Sequence, residues 1–306
     1  MILHKNKENF EVAIRNTSRH YNISTAMVEK DYYVTLVLKR LTKVVPELIF
    51  KGGTSLSKCY GIIDRFSEDI DITLDPNYFS QGYKRKLSKS IKECVVDLGF
   101  SLINEDEIRS RRDYNCYEID YSPNYNMNEL HPRLLVETVF IVKSYPDELK
   151  QASSLISRYL KEIGNEDAIK LFDLEPFNIR VQTLDRTLID KVFAICDYMI
   201  DNKNKRLSRH IYDIYKLLSI VKLDTRLKEL IQKVREDRKE GTKCFSAKDN
   251  VNVNELLQKI IETDFYKKDY LESTEKLLSV HVSYEECIKA LKQVIESKVF
   301  EKWGLS

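Results

Sequence analysis

The chain has 306 residues, of which 42% are hydrophobic and 32% charged, and a formal net charge of +2. That length supports one large domain or two lobes with a sizeable core, and the near-neutral balance excludes a dedicated nucleic-acid coat while leaving room for local basic patches. Six scattered cysteines without CxxC spacing argue against a zinc site or redox motif, and the absence of an apolar leader or an ~18-residue apolar run makes the cytoplasm the expected location, with no membrane partner.

Helical periodicity over residues 7–43 predicts two helices, the first carrying Phe10, Ile14 and Tyr21. The second carries Val28, Tyr32, Leu36 and Leu41, with Ser24 as its N-cap. Pro46 breaks the pattern. A strand at Leu48–Lys51, a Gly-Gly-Thr-Ser turn, a short helix and a strand at Ile70–Leu74 follow. Leu87, Ile91, Val95 and Leu98 mark a helix over 84–98. Residues 100–121 read as strands flanking a basic stretch, and RLLVETVFIV (133–142) reads as a buried strand interrupted by one acid, Glu137. A last strand is expected at 178–184. From Asp185 onward helices are expected at 185–201, 206–221, 224–238, 253–262, 267–279 and 284–299, with 241–250 as a loop. The expected organisation is a helical lead over 1–45 packed on the core, an α/β lobe over 46–184 and a helical lobe over 185–306.

The most informative stretch is 48–74, LIFKGGTSLSKCYGIIDRFSEDIDITL. Gly52 and Gly53 permit left-handed backbone and let N–H groups approach an anion at a helix start, and Thr54 and Ser55 would add hydroxyl donors. The turn fits neither GxxxxGK[ST] nor GxGxxG. The second strand is expected to carry Ser67, Asp69 and Asp71 on alternate positions, which puts them on one face. Two close carboxylates repel unless a cation sits between them, and Mg²⁺ suits their hard oxygens. Glu137 either completes a metal triad with Asp69 and Asp71 or pairs with a basic side chain. In the helical half, Lys191 lies in an apolar helix, and Arg209 and Asp213 share a face at i,i+4, which alone would be an ordinary surface pair. Lys203, Lys205, Arg206, Arg209 and His210, and Lys84, Arg85, Lys86 and Lys89, are basic runs that could meet phosphates, although solvated helix ends are the commoner explanation.

FKGGTSLSKCY, DRFSEDIDITL, RTLIDKVFAICD and RLSRHIYDIYKL, in that order, resemble the four motifs of the AbiEii/AbiGii-type nucleotidyltransferase toxins, relatives of the MenT toxins. The likeness runs over roughly residues 48–220. It implies an α/β (α+β) fold: a polymerase-β-like nucleotidyltransferase lobe with a mixed sheet, followed by an all-helical lobe, with the active site in the cleft. It also implies NTP and RNA, tRNA above all, as substrates, Mg²⁺ as cofactor, and a separate antitoxin. By position, Gly52, Gly53, Thr54 and Ser55 resemble the triphosphate-binding motif, Asp69 and Asp71 the metal-binding pair, and Ser67 an active-site or modifiable serine. Lys191 resembles a nucleotide-contacting lysine, Asp213 a catalytic or structural aspartate, and Arg209 a phosphate ligand. The alternatives left open are a kinase-like phosphotransferase and a non-catalytic nucleotide-binding protein on the same scaffold.

Overall fold

The computed structural model describes residues 1–127 and 130–301. In it, helix α1 (Lys7–Tyr21) runs to a left-handed Asn22, and α2 (Thr25–Val44) starts where the Ser24 hydroxyl accepts from Met27 N–H at 3.2 Å. That bond satisfies one of the donors a helix start leaves unpaired. Strand β1 (Leu48–Lys51) buries Leu48, Ile49 and Phe50. It runs directly into α3 (Gly52–Ser55), which continues as a π-helical turn at Leu56–Tyr60. Strand β2 (Ile70–Leu74) precedes α4 (Gln81–Leu98), which ends on a left-handed Gly99. Then come β3 (Ser101–Leu102), β4 (Tyr114–Asp120), β5 (Leu134–Val139) and β6 (Asp147–Ala152). Helices α5 (Leu155–Glu162) and α6 (Glu166–Leu171) lead to β7 (Phe177–Gln182).

These strands form one seven-stranded mixed sheet in the order β3-β4-β5-β2-β1-β7-β6. Strand β2 lies at its centre, antiparallel to β1 and parallel to β5. Ile70, Ile72 and Leu74 are fully buried, which fits a central strand. Two features differ from the sequence expectation. Strand β2 begins at Ile70, so only Asp71 of the three expected residues lies on it, and Ser67 and Asp69 sit in the segment leading in. Residues 143–183, expected to hold only a lobe boundary and a last strand, also contain β6, α5 and α6. The polar sequence DELKQA buries Ala152 alone, as an edge strand can, so no hydrophobic alternation announces β6.

The chain divides into two compact units. The first comprises Met1–Tyr60, Ser67–Phe140 and Asp147–Val181, and the second Gly61–Phe66, Ile141–Pro146 and everything from Gln182 onward. The first holds α1 to α6 and the sheet. The second is built of α7 (Leu184–Ile200), α8 (Arg209–Leu218), α9 (Thr225–Lys239), α10 (Val253–Glu262), α11 (Lys267–Asp269) and α12 (Tyr284–Glu296). Its core takes Leu188, Val192 and Ile195 of α7, Ile211, Ile214 and Leu217 of α8 and Leu291 and Val294 of α12, all fully buried. Residues 267–279, expected as one helix, change from α to π to 3-10 geometry by Leu277. In this second unit, Arg65 pairs with Leu278 as an antiparallel bridge, and Asp64 N–H donates to the Tyr212 hydroxyl at 2.9 Å.

Candidate active site

Gly52 adopts φ +76°, and a Cβ built on it would lie 1.9 Å from Asp71 Oδ2. Glycine is needed here twice over, for the left-handed backbone and for the space the carboxylate occupies. The glycine turn and Asp71 are therefore one construction. The contact follows from sheet register: Lys51, the residue before the turn, is the cross-strand partner of Asp71. On the other side Asp71 is in register with Glu137, and Glu137 with Cys116. Register partners share a face, so Lys51, Asp71, Glu137 and Cys116 form a row across β1, β2, β5 and β4.

Tyr114, two residues before Cys116 on β4, shares that face and donates its hydroxyl to Glu137 Oε1 at 3.1 Å. Burial and the adjacent Glu137 carboxylate hold the Tyr114 phenol well above its ordinary value. The same two causes push the Cys116 thiol up to about 12. Among the described residues no cluster of three or more Asp, Glu, His or Cys side chains is close enough to hold a metal ion. Asp71 and Glu137, register partners on β2 and β5, place two carboxylates on one face of the sheet.

The hydroxyls of the turn are not arranged as phosphate donors. Ser55 is fully buried and its Oγ donates to the Gly52 carbonyl at 2.8 Å. Thr54 is buried too, its Oγ1 sharing a 2.9 Å hydrogen bond with Ser67 Oγ. Gly52 and Gly53 remain half-exposed, and Lys51 supplies no side-chain cap, so the donors this turn offers are backbone N–H groups. Ser67, expected on the strand face, is instead the group that fastens the segment before β2 to the turn.

In the second unit, Asp213 is fully buried on α8 and held by two cations through three contacts. Arg65 grips it with Nε at 2.7 Å and an Nη at 2.8 Å, and Lys191 Nζ lies 2.6 Å from Oδ2. Burial alone would raise the Asp213 carboxyl, but the Arg65 guanidinium and Lys191 ammonium hold it far below the usual carboxylate range. Burial pulls Lys191 below the ordinary lysine value, and Asp213 partly restores it. His210 Nδ1 lies 3.4 Å from Lys191 Nζ. Burial and the neighbouring Lys191 and Arg209 charges keep the imidazole well below its usual pKa, hence neutral near pH 7. His210 therefore drops out of the expected basic run. Lys84 drops out of the other, because it is buried, pairs with Asp113 at 2.6 Å and lies over the Phe140 ring. Arg65 was missed in the sequence. The available signal was indirect: a buried aspartate requires cationic partners, and bidentate geometry favours arginine.

The central strand of the mixed sheet seats a carboxylate against a glycine turn, and the family match identifies the protein as a nucleotidyltransferase. The chain belongs to the family described as nucleotidyl transferase AbiEii toxin, type IV toxin–antitoxin system, whose model matches residues 37–295. It is thus a nucleotidyltransferase toxin of such a system. Among solved structures it is similar to MenT4, a nucleotidyltransferase toxin from Mycobacterium tuberculosis H37Rv. That match has 15% identity and a TM-score of 0.54, covering 96% of this chain and 90% of the other, and it shows a shared fold. No curated protein matches the chain in sequence. Among the described residues no helix is long and apolar enough to cross a membrane.

Proposed function

We propose that the protein transfers a nucleoside monophosphate from an NTP to the 3′ end of an RNA, tRNA first among candidates, as a cytoplasmic phage-defence toxin countered by a separate antitoxin. The observation that supports this reading is the fit of Asp71 Oδ2 against Gly52, which brings a carboxylate beside the backbone of the glycine turn. A triphosphate needs both, donors for its phosphates and an acidic anchor for its cation.

Mg²⁺ suits the donor set in chemistry, with Asp71 as the central ligand and Asp69 or Glu137 beside it, and when bound it would neutralise charge on the α-phosphate and the departing pyrophosphate. The acceptor hydroxyl attacks the α-phosphorus, a new phosphodiester forms, and the bond to the β-phosphate oxygen breaks, releasing pyrophosphate. The hydroxyl proton passes to a carboxylate of the Asp69/Asp71 pair. Backbone N–H groups of the glycine turn orient the phosphates for in-line displacement, so the chain contributes chiefly position and electrostatics. Asp213 is the buried counter-charge that orients Lys191 and Arg65 within the second unit. Ser67 acts by holding the segment before β2 to Thr54, rather than by touching substrate.

Total RNA incubated with Mg²⁺ and each NTP, labelled at either the α or the γ phosphate, tests this. Label should enter RNA from the α position only. Transfer from the γ position alone would show a phosphotransferase.

A further inference from the structure

Asp69 lies immediately before β2, which begins at Ile70. Two residues on its N-terminal side tie the segment to the rest of the first unit. Ser67 is tied to Thr54. Glu68 accepts from His131 N–H at 3.3 Å and forms an ion pair with Lys30 Nζ at 3.0 Å. Lys30 sits in the second turn of α2 with a fully buried side chain. Its ammonium also donates to the His131 carbonyl and, at 2.6 Å, to the Arg133 carbonyl. All three N–H donors of the lysine are thereby used. The residues it grips lie just before β2, which carries Asp71, and just before β5, which carries Glu137.

We propose that Lys30 and Glu68 form a positioning latch for the acidic site, holding together the entries to β2 and β5, the strands that carry Asp71 and Glu137. The inference rests on the functional reading above for its effect on transfer, and on geometry alone for its effect on the segment. A buried lysine is an expensive way to join two loops, since removing an ion from water costs several kcal/mol before pairing returns any of it. An apolar side chain on α2 would pack as well but could not hold two carbonyls and a carboxylate at once. A cation at that spot also lies within electrostatic reach of Asp69.

The test uses the full chain with Lys30→Met and Glu68→Gln combined, which removes both charges together and leaves no unpaired ion. Glu68→Gln alone carries the test if the pair does not fold. We expect a melting temperature near wild type and faster hydrogen exchange in peptides covering residues 67–70, with peptides of the second unit unchanged. Nucleotidyl transfer should fall about 30-fold or more in kcat, with little change in KM for NTP, and half-saturation should move to higher Mg²⁺. A role in stability only would lower the melting temperature and leave exchange in 67–70 and kcat per folded molecule as in wild type, and that result overturns the latch. A wild-type protein that transfers no nucleotide overturns the functional reading instead, while the exchange comparison still decides the latch.

Discussion

Gly52→Ala is the sharpest local perturbation the structure offers. The new Cβ would meet Asp71 Oδ2 at 1.9 Å, where real contacts stay beyond 3.0 Å, so the carboxylate has to retreat by roughly 1 Å. The backbone at φ +76° adds a left-handed penalty of about 1–2 kcal/mol for any residue with a Cβ. Retreat of a carboxylate by that distance from its working position costs on the order of 100-fold in rate. Denaturant unfolding and α-label transfer, measured on the same preparations, separate the two effects. A double-mutant cycle with Asp71→Ala isolates the clash. Without Cγ and its oxygens the nearest remaining Asp71 atom is Cβ at 3.1 Å, so Gly52→Ala should cost about 1–2 kcal/mol less in that background. Equal stability penalties in both backgrounds, or a Gly52→Ala protein of full activity, would refute the claim that turn and carboxylate are one construction.

Asp213→Asn should destabilise the protein by about 3–5 kcal/mol in chemical unfolding, because it leaves the buried Arg65 and Lys191 charges without a counter-ion. Since the folded-state pKa of Asp213 is depressed, its contribution is complete above the unfolded value near ~4 and is lost as pH falls below it, a slope that Asp213→Asn should remove. His210 is also depressed, so stability should begin to fall below about pH 6.5, by at most ~1.4 kcal/mol per pH unit, and His210→Gln should flatten that segment of the unfolding profile. Tyr114→Phe removes the hydroxyl that Glu137 accepts and should lower the transfer rate several-fold while costing about 0.5–1.5 kcal/mol in thermal unfolding.

Local signals were legible in the sequence, and long-range pairings were not. The Gly52–Gly53 turn, the buried strand around Ile70 and Ile72, the Ser24 cap and the apolar strand around Glu137 all carry their periodicity or turn chemistry in a few neighbouring residues. Register, which makes Lys51, Asp71 and Glu137 a row, needs the order of strands across the sheet, and no single segment encodes that. The same limit hid Arg65, which meets Asp213 from 148 residues away, and Lys30, 38 residues before Glu68. The residue type of Ser55 allows a phosphate donor, and only the helical turn shows its hydroxyl spent on the Gly52 carbonyl.

The central claim is nucleotidyl transfer that depends on the carboxylate seated at the glycine turn. The most direct measurement is incorporation of α-labelled NTP into RNA by wild type and by Asp71→Ala, in Mg²⁺ and with matched folding confirmed by circular dichroism. Labelled RNA from wild type and a loss of at least 1,000-fold in the variant, an order-of-magnitude expectation for removing a group that stabilises transition-state charge, is the predicted result. Undiminished labelling by Asp71→Ala would contradict the account.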